Sequence, residues 1–221
     1  MSDVAPPDAP PAPVVSDAAS FAAATNATPA QMADLEAYRL LLADWNTRVN
    51  LVGASTLDAF WSRHAWDSAQ IAPLAPEALT WADLGTGAGL PGVVLAILGK
   101  GRPGFRVHLV DSLAKRCRFL TEVVTTLDLP AQVHNARAEN LKLKVDVATA
   151  RACAPMTRLL AFAEPYLRNG AQALLLKSQD VVSELEEATI SWDFDAEVVP
   201  SRSDPRGRIV RIRRLGRARK A

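Results

Sequence analysis

The 221-residue chain is predicted to form an α/β fold, a doubly wound Rossmann-like sheet preceded by a helical cap. A short apolar run ends at Asp83, and glycines alternate through the turn Gly85–Gly89 before a helix begins. A second alternating segment, residues 106–110, ends in Asp111. Glycine lets backbone N–H groups approach a ligand, and a carboxylate accepts from ribose hydroxyls. This end of the sheet is therefore predicted to bind a nucleotide.

Hydrophobic periodicity, with Gly and Pro as stop signals, predicts the other elements. The predicted strands are residues 80–84, 106–111, 132–135, 145–150, 172–177, 195–200 and 208–215. The predicted helices between them are residues 90–99, 113–127, 156–167 and 178–188. Strands that alternate with helices and end in a strand pair predict one seven-stranded sheet.

The N-terminal region divides into a leader and a cap. The first thirty residues contain ten alanines, six prolines and no Lys or Arg. Residues 1–29 are therefore predicted to be a disordered leader and not a signal peptide. Two helical patterns, the second from Phe60 to Leu74, predict a helical cap over residues 30–76. The sheet domain is then expected over residues 77–215, with a basic tail over residues 216–221.

Composition excludes several classes of protein. With 49% hydrophobic residues the chain can bury one sizeable core, and no apolar run approaches the roughly 20 residues of a membrane span. Cys117 and Cys153 are lone cysteines on predicted buried elements. They predict neither a disulfide nor a metal site, and they favour the cytoplasm. His108 and His134 lie within strands and lack the spacing of metal ligands.

The net charge of +1 conceals a basic C-terminus. Residues 200–221 hold eight arginines and one lysine against the single acid Asp204. Residues 206–215 alternate apolar side chains with arginines, which predicts a strand with a basic face. That face is either a solvated edge strand or a patch that contacts nucleic-acid phosphates. The residues predicted to contact phosphates there are Arg211, Arg213, Arg217, Arg219 and Lys220.

The glycine turn fits two nucleotide motifs. From Gly87 onward it matches the dinucleotide fingerprint G-x-G-x-x-G, but that glycine comes late after the strand and Pro91 falls within the turn. From Asp83 onward, D-x-G-x-G-x-G resembles the first motif of S-adenosylmethionine-dependent methyltransferases. We therefore favour S-adenosylmethionine over NAD(P). An NAD(P)-dependent oxidoreductase and a catalytically silent RNA-binding module remain the alternatives.

Longer motifs carry a more specific resemblance. They are Trp45–Leu51 (WNTRVNL), Arg63–Ser68 (RHAWDS), Asp83–Gly92 (DLGTGAGLPG), Asp111–Leu120 (DSLAKRCRFL) and Arg151-Ala152. In this order and spacing the chain resembles the bacterial glucose-inhibited division protein B family, the RsmG-type guanine-N7 methyltransferases of small-subunit rRNA. The resemblance covers roughly residues 35–177. Residues 153–155, Cys-Ala-Pro, depart from the aromatic stretch that the family carries after the arginine.

The resemblance implies a seven-stranded S-adenosylmethionine-dependent methyltransferase fold. It also implies methylation at N7 of one guanine in the 530 loop of 16S rRNA, with S-adenosylmethionine as the cofactor. The partner would be 16S rRNA or a small ribosomal subunit particle, and we expect a monomer without membrane contact.

The family's cofactor contacts fall on Gly85, Leu90, Ala138, Glu139 and Arg151. Gly87 and Asp111 join them from the motif itself. Asp111 either accepts from the ribose hydroxyls or is a plain surface cap. Ala138 and Glu139 follow the third strand, where they can recognise adenine. Arg151 ends the fourth strand, where it holds the methionine carboxylate or the target base, or forms a structural salt bridge.

No catalytic acid or base is assigned. Guanine N7 has an in-plane lone pair and needs no deprotonation, so alignment and electrostatics are what an enzyme adds. His64 and Asp67 are predicted to form a hydrogen-bonded structural pair that closes the cofactor pocket, in preference to a general-base dyad.

Three cations and three tryptophans remain to be assigned. The first turn of a predicted helix, where positive charge is unfavourable because of the helix dipole, contains Lys115, Arg116 and Arg118. Because they cannot stabilise that helix end, they are predicted to contact RNA phosphates at the rim of the pocket. The tryptophans are Trp45, Trp61 and Trp66, and we predict that they are core residues and not base-stacking platforms.

Overall fold

A computed structural model describes residues 13–151, 154–177 and 180–218 of this protein. Within them, one seven-stranded sheet has the order β3-β2-β1-β4-β5-β7-β6. The strands are β1 (Thr80–Leu84), β2 (Arg106–Asp111), β3 (Ala131–Asn135), β4 (Val147–Arg151), β5 (Gln172–Lys177), β6 (Trp192–Pro200) and β7 (Arg208–Arg217). Strands β1 to β5 run parallel, and β7 is antiparallel to both β5 and β6. The predicted fold class is confirmed.

Helices cover both faces of the sheet. They are α1 (Ala18–Thr25), α2 (Pro29–Asn46), a π-helix (Phe60–Trp66) that runs into α3 (Asp67–Ala69), α4 (Gly92–Leu98), α5 (Ala114–Thr126), α6 (Met156–Leu167) and α7 (Val181–Ala188). Short 3₁₀ turns are Ala54–Thr56, Ala72–Leu74 and Ala138–Asn140. Trp81 of β1 packs with the cap, α4 and α5, whereas its neighbour Ala82 packs with α6 and α7. None of the described helices is long and apolar enough to cross a bilayer.

The prediction of disorder through residue 29 is wrong for residues 18–25, which form α1. The Asp17 carboxylate accepts from the Ser20 N–H at 2.8 Å and caps the first turn. Phe21 is fully buried and packs on Trp61, with ring centroids 5.5 Å apart. The prediction of disorder rested on the average composition of an alanine-rich segment, in which one buried aromatic residue has little weight. Alanine itself favours a helix. The disorder predicted for residues 1–12 lies outside the described residues.

The second cap helix, predicted as continuous from Phe60 to Leu74, is corrected as well. It consists of the π-helix, the short α3 and a 3₁₀ turn at Ala72–Leu74. Pro73 lacks an N–H, which prevents a continuous α-helical ladder. The wide π turn inserts a residue, and a search for 3.6-residue periodicity cannot detect it.

The C-terminal strand is an interior strand. β7 pairs with β5 on one side and with β6 on the other, so the alternative that it is a solvated edge strand is wrong, and β6 is the edge strand. Gly216 and Arg217, assigned to a basic tail by sequence, belong to β7 and pair with Asp193 and Trp192.

Gly92, at the start of α4, allows a test of packing beneath the glycine turn. A Cβ added there would collide with Leu109 and would lie 2.8 Å from Oδ2 of Asp83. We expect Gly92→Ala to lower the free energy of unfolding by about 1–3 kcal/mol through overpacking, measured by urea denaturation. Gly216→Ala, whose Cβ would have no atom within 4 Å, is the control. Equal losses in both variants would contradict the packing argument.

Candidate cofactor and substrate site

The carboxyl end of β1 holds the glycine turn in shape through Asp83. This residue is fully buried, and its Oδ2 accepts from Thr86 Oγ1 at 2.5 Å and from Gly92 N at 2.8 Å. Burial raises the pKa of Asp83 to about 6, although both hydrogen bonds and the charge of Arg151 act to lower it. Its Oδ1 has no donor in the part of the chain that the structure describes. The turn therefore retains a buried acceptor in need of a donor.

Gly87 differs from the glycine two positions later. It has φ of +56°, and a Cβ built on it would meet only the Gly85 carbonyl oxygen, at 3.9 Å. A Cβ on Gly89 would instead overlap Val93. Gly87 thus keeps open space in front of the backbone, whereas Gly89 is required by packing. This agrees with the expectation that the turn admits a ligand close to its main chain.

Asp111, the last residue of β2, is buried and contacts the same turn. Its Oδ2 accepts from Gly87 N at 3.0 Å, and its Oδ1 accepts from Leu113 N at 2.8 Å. Its burial argues against the surface-cap alternative. Arg116 Nη1 lies 3.4 Å from Oδ2 of Asp111, whereas Lys115 is exposed, as is Arg118 on the same helix. Arg116 is therefore already partnered by the acid.

Leu113 is a rim residue that sequence reasoning missed. Its side chain is 44% exposed beside the buried acid, an unusual position for a large apolar group. It provides an exposed apolar surface two residues after Asp111. The available signal was an apolar residue two positions after the strand-ending acid.

Two buried tyrosines donate hydrogen bonds to two loops of the site. Tyr38 Oη donates to the Ala88 carbonyl at 2.7 Å, and Tyr166 Oη donates to the Ala138 carbonyl at 3.0 Å. The cap thus fixes the glycine turn, and α6 fixes the turn after β3. Glu139 is exposed and lies 3.9 Å from a guanidinium nitrogen of Arg137. Both tyrosine side chains lie in the hydrophobic core, and no signal in the sequence indicated these two hydrogen bonds.

Arg151, the last residue of β4, is bound by the cap. Its Nη1 donates to the Arg63 carbonyl at 3.0 Å and to Asp67 Oδ2 at 3.3 Å, and its Nη2 lies 3.3 Å from His64 Nδ1. The structural salt bridge is therefore present. His64 and Asp67 contact Arg151 and form no hydrogen bond to each other, so the predicted direct pair is wrong. Burial, together with the charges of Arg151 and Arg63, lowers the pKa of His64 to about 4.

The predicted cofactor residues converge on one edge of the sheet. They lie at the carboxyl ends of β1 (Gly85, Gly87), β2 (Asp111), β3 (Ala138, Glu139) and β4 (Arg151). Parallel strands bring these ends together beside the switch between β1 and β4, where ligands of such sheets bind. Leu90 differs, because its side chain is buried in the core and only its main chain belongs to the turn.

A cleft of about 400 Å³ lies at the same edge, next to Arg151. The cap, the ends of β4 and β5, the β6–β7 loop and the start of β7 form its walls. Its charged lining residues are Arg63, Asp67, Arg151, Lys177, Asp204 and Arg208. Sequence reasoning missed this cleft because four distant segments build it.

The β7 arginines predicted to contact RNA are partnered within the hairpin. Arg213 lies 3.0 Å and Arg211 3.9 Å from the Glu197 carboxylate. The Arg217 guanidinium lies 3.9 Å from the centre of the Trp192 ring. The predicted contacts at residues 219 and 220 fall outside the described residues. The acids of β6 therefore neutralise much of the basic face of β7. The signal for this pairing in the sequence was that acids alternate along β6.

Comparisons with known proteins agree with this geometry. The family model described as GidB, rRNA small subunit methyltransferase G, matches residues 31–207. The chain is 65% identical over 205 residues to the Ribosomal RNA small subunit methyltransferase G of Caulobacter vibrioides, covering 93% of this chain and 95% of the relative. It is 46% identical over 186 residues to the protein of that name from Methylorubrum populi, covering 83% and 88%.

Solved structures show the same fold. A mutant of MtNAS in complex with S-adenosylmethionine aligns with a TM-score of 0.56 and 16% identity, over 89% of this chain and 83% of that one. The mitomycin 7-O-methyltransferase MmcR aligns with a TM-score of 0.55 and 15% identity, over 90% and 72%.

Gly87→Ala tests whether the open side of the turn faces the cofactor. The new methyl group would occupy the space in front of the backbone, so we expect calorimetry to show at least tenfold weaker binding of S-adenosylmethionine. Gly101→Ala is the matched control, because Gly101 also has positive φ (+86°) and no atom within 4 Å of an added Cβ, but lies in the turn before β2. Equal affinity in both variants would reject the assignment.

Tyr166→Phe tests whether the hydrogen bond from Tyr166 to Ala138 positions the turn after β3 for cofactor binding. The change removes one buried hydroxyl without opening a cavity, and such a hydrogen bond contributes about 0.5–1.5 kcal/mol. If the turn binds the cofactor, we expect affinity for S-adenosylmethionine to fall two- to tenfold. A thermal melt of the free protein serves as the stability control, and wild-type affinity in the variant would contradict the role.

Proposed function

The chain belongs to the GidB family of rRNA small subunit methyltransferase G proteins, and we propose from this membership that it methylates N7 of one guanine in the 530 loop of 16S rRNA. S-adenosylmethionine is the proposed methyl donor. The observation that carries the proposal is the adjacency of the glycine turn and Asp111 to a cationic cleft at the ends of β4 and β5. We further propose that the protein acts as a monomer in the cytoplasm, on free rRNA or on a small-subunit particle.

The residues present suit S-adenosylmethionine. The open backbone at Gly87 admits its methionyl-ribose part, and Asp111 offers carboxylate oxygens to the ribose hydroxyls. The buried Oδ1 of Asp83, for which no described residue provides a donor, suits a cationic group such as the α-ammonium. Arg151 would hold the methionine carboxylate, and Ala138 with Glu139 would contact the adenine.

The buried acid of β1 disfavours a dinucleotide. Asp83 accepts from Gly92 N within the glycine turn, and a carboxylate at that position would repel the pyrophosphate of NAD(P). This observation favours the methyltransferase over the oxidoreductase that the motif left open.

The mechanism requires alignment rather than proton transfer. When bound, S-adenosylmethionine supplies an electrophilic methyl group on a positively charged sulfur. Guanine N7 carries a lone pair and no proton, so no side chain has to act as a base. His64 is held between Thr56 Oγ1, at 2.9 Å, and Arg151, and its lowered pKa keeps it neutral at neutral pH. We therefore expect the polar groups at the end of β4 to position the bound ligands, so that the methyl group and guanine N7 lie close enough to react.

A labelling experiment tests the proposed reaction. The full chain is incubated with methyl-labelled S-adenosylmethionine and 16S rRNA, either free or in small-subunit particles from cells that lack the enzyme. We expect one labelled 7-methylguanine in the 530 loop, located by mass spectrometry of nuclease fragments. An rRNA transcript without that loop is the control substrate. Calorimetric binding of NADH in place of S-adenosylmethionine would support the oxidoreductase, and RNA binding without methyl transfer would support the silent module.

A further inference from the structure

The arginines at the cleft differ from those farther along β7. Arg208 Nη1 donates only to main-chain carbonyls, those of Pro205 at 2.9 Å and Gly207 at 2.8 Å. Arg63 is exposed, and its guanidinium forms no ion pair or hydrogen bond within the described ranges. Both side chains line the cleft. Neither guanidinium has a carboxylate within ion-pair distance in the described residues, although Asp204, which also lines the cleft, interacts electrostatically with Arg63. An arginine paired directly with a carboxylate attracts a distant phosphate more weakly than an arginine without such a partner.

The cations deeper in the cleft are already compensated. Arg151 pairs with Asp67 at 3.3 Å, and Lys177 pairs with Glu184 at 2.7 Å. Among the described lining residues, the arginines without a carboxylate at ion-pair distance are therefore Arg63 on the cap and Arg208 at the start of β7, on either side of the ends of β4 and β5. The volume of about 400 Å³ lies within the roughly 300–1,000 Å³ of small-ligand pockets. Such a volume suits one nucleotide and not a duplex.

The cleft is built before any ligand arrives. Gln70 of the cap is only 3% exposed, and it accepts from Arg202 N at 2.6 Å and donates to Ser201 Oγ at 3.0 Å. Trp66 Nε1 donates to the Arg202 carbonyl at 3.1 Å. These contacts fasten the β6–β7 loop to the cap, so binding requires little ordering of the walls.

We infer that this cleft binds the target nucleotide of the rRNA, with Arg63 and Arg208 contacting the backbone phosphates next to the base that is methylated. The inference rests on the proposed function and assigns its RNA contacts to the cap and the start of β7, instead of the outer arginines of β7. Arginine suits this role because its planar guanidinium donates two hydrogen bonds to one phosphate. Phosphate contacts of this kind fix the register of the RNA, so that a base enters next to the methyl donor.

Single substitutions in the full chain test the inference. Arg63→Gln and Arg208→Gln are compared with Arg168→Gln, which removes an exposed arginine after α6, beyond the amino end of β5. We expect KM for the rRNA substrate to rise at least fivefold in the two cleft variants, with kcat and S-adenosylmethionine affinity within twofold of wild type. The slope of log(kcat/KM) against log salt should become shallower by about 0.7 for each phosphate that the variant no longer binds. Arg63→Lys should recover part of the KM effect.

The outcomes separate the inference from the proposed function. Cleft variants that match Arg168→Gln in KM and in salt slope overturn the inference, provided that the wild-type protein methylates the rRNA. A wild-type protein that methylates no rRNA counts against the proposed function instead. If Arg208→Gln lowers the melting temperature because its hydrogen bonds to the loop carbonyls are removed, Arg63→Gln alone decides, because the Arg63 guanidinium forms no hydrogen bond or ion pair in the described structure.

Discussion

The arrangement of the site depends on the contact between Arg151 and Asp67. Their side chains are only 17% and 22% exposed, so the pair is largely withdrawn from water, and removal of either partner would leave an uncompensated charge. Oδ1 of Asp67 also accepts from Ser203 Oγ at 2.6 Å and from Gln70 Nε2 at 3.0 Å. One carboxylate thus joins the end of β4, the cap and the β6–β7 loop. This carboxylate therefore fixes the positions of these three parts of the cleft relative to one another.

The cap packs against the elements that form the candidate site. Leu35 and Leu42 of α2 are fully buried in the same core as Val93 of α4 and Phe119 of α5. Tyr38, on the same stripe, extends its hydroxyl to the glycine turn. Because α2 packs directly over the turn, a shift of the cap would move the backbone at Gly87 and Ala88. The cap therefore positions both the glycine turn and, through Asp67, the cleft.

The sequence predicted what local patterns determine. The predicted bounds of β1, β2, β5 and α6 are those of the structure, because each apolar pattern has a clear stop signal at its end. The glycine turn and Asp111 were found for the same reason. The π-helix was missed because its period is not 3.6 residues. Contacts between distant segments were missed as well, namely the hydrogen bond from Tyr166 to Ala138 and the pairing of Glu197 with the β7 arginines. A strand shows its own alternation but not the charge of its neighbour.

The positions of paired and unpaired charges explain how a chain with a net charge of only +1 could attract RNA at one part of its surface. Along β7, the three acids of β6 pair with Arg211, Arg213 and Arg214, which reduces but does not cancel the positive charge of that strand. Exposed Lys115 and Arg118 lie on the β2 side of the cofactor residues, and Arg63 and Arg208 lie on the β4–β5 side. Cations therefore lie on both sides of the predicted cofactor residues. Because surface charges act over only about 8 Å at physiological salt, the proposed attraction of an RNA backbone depends on this local arrangement and not on the net charge.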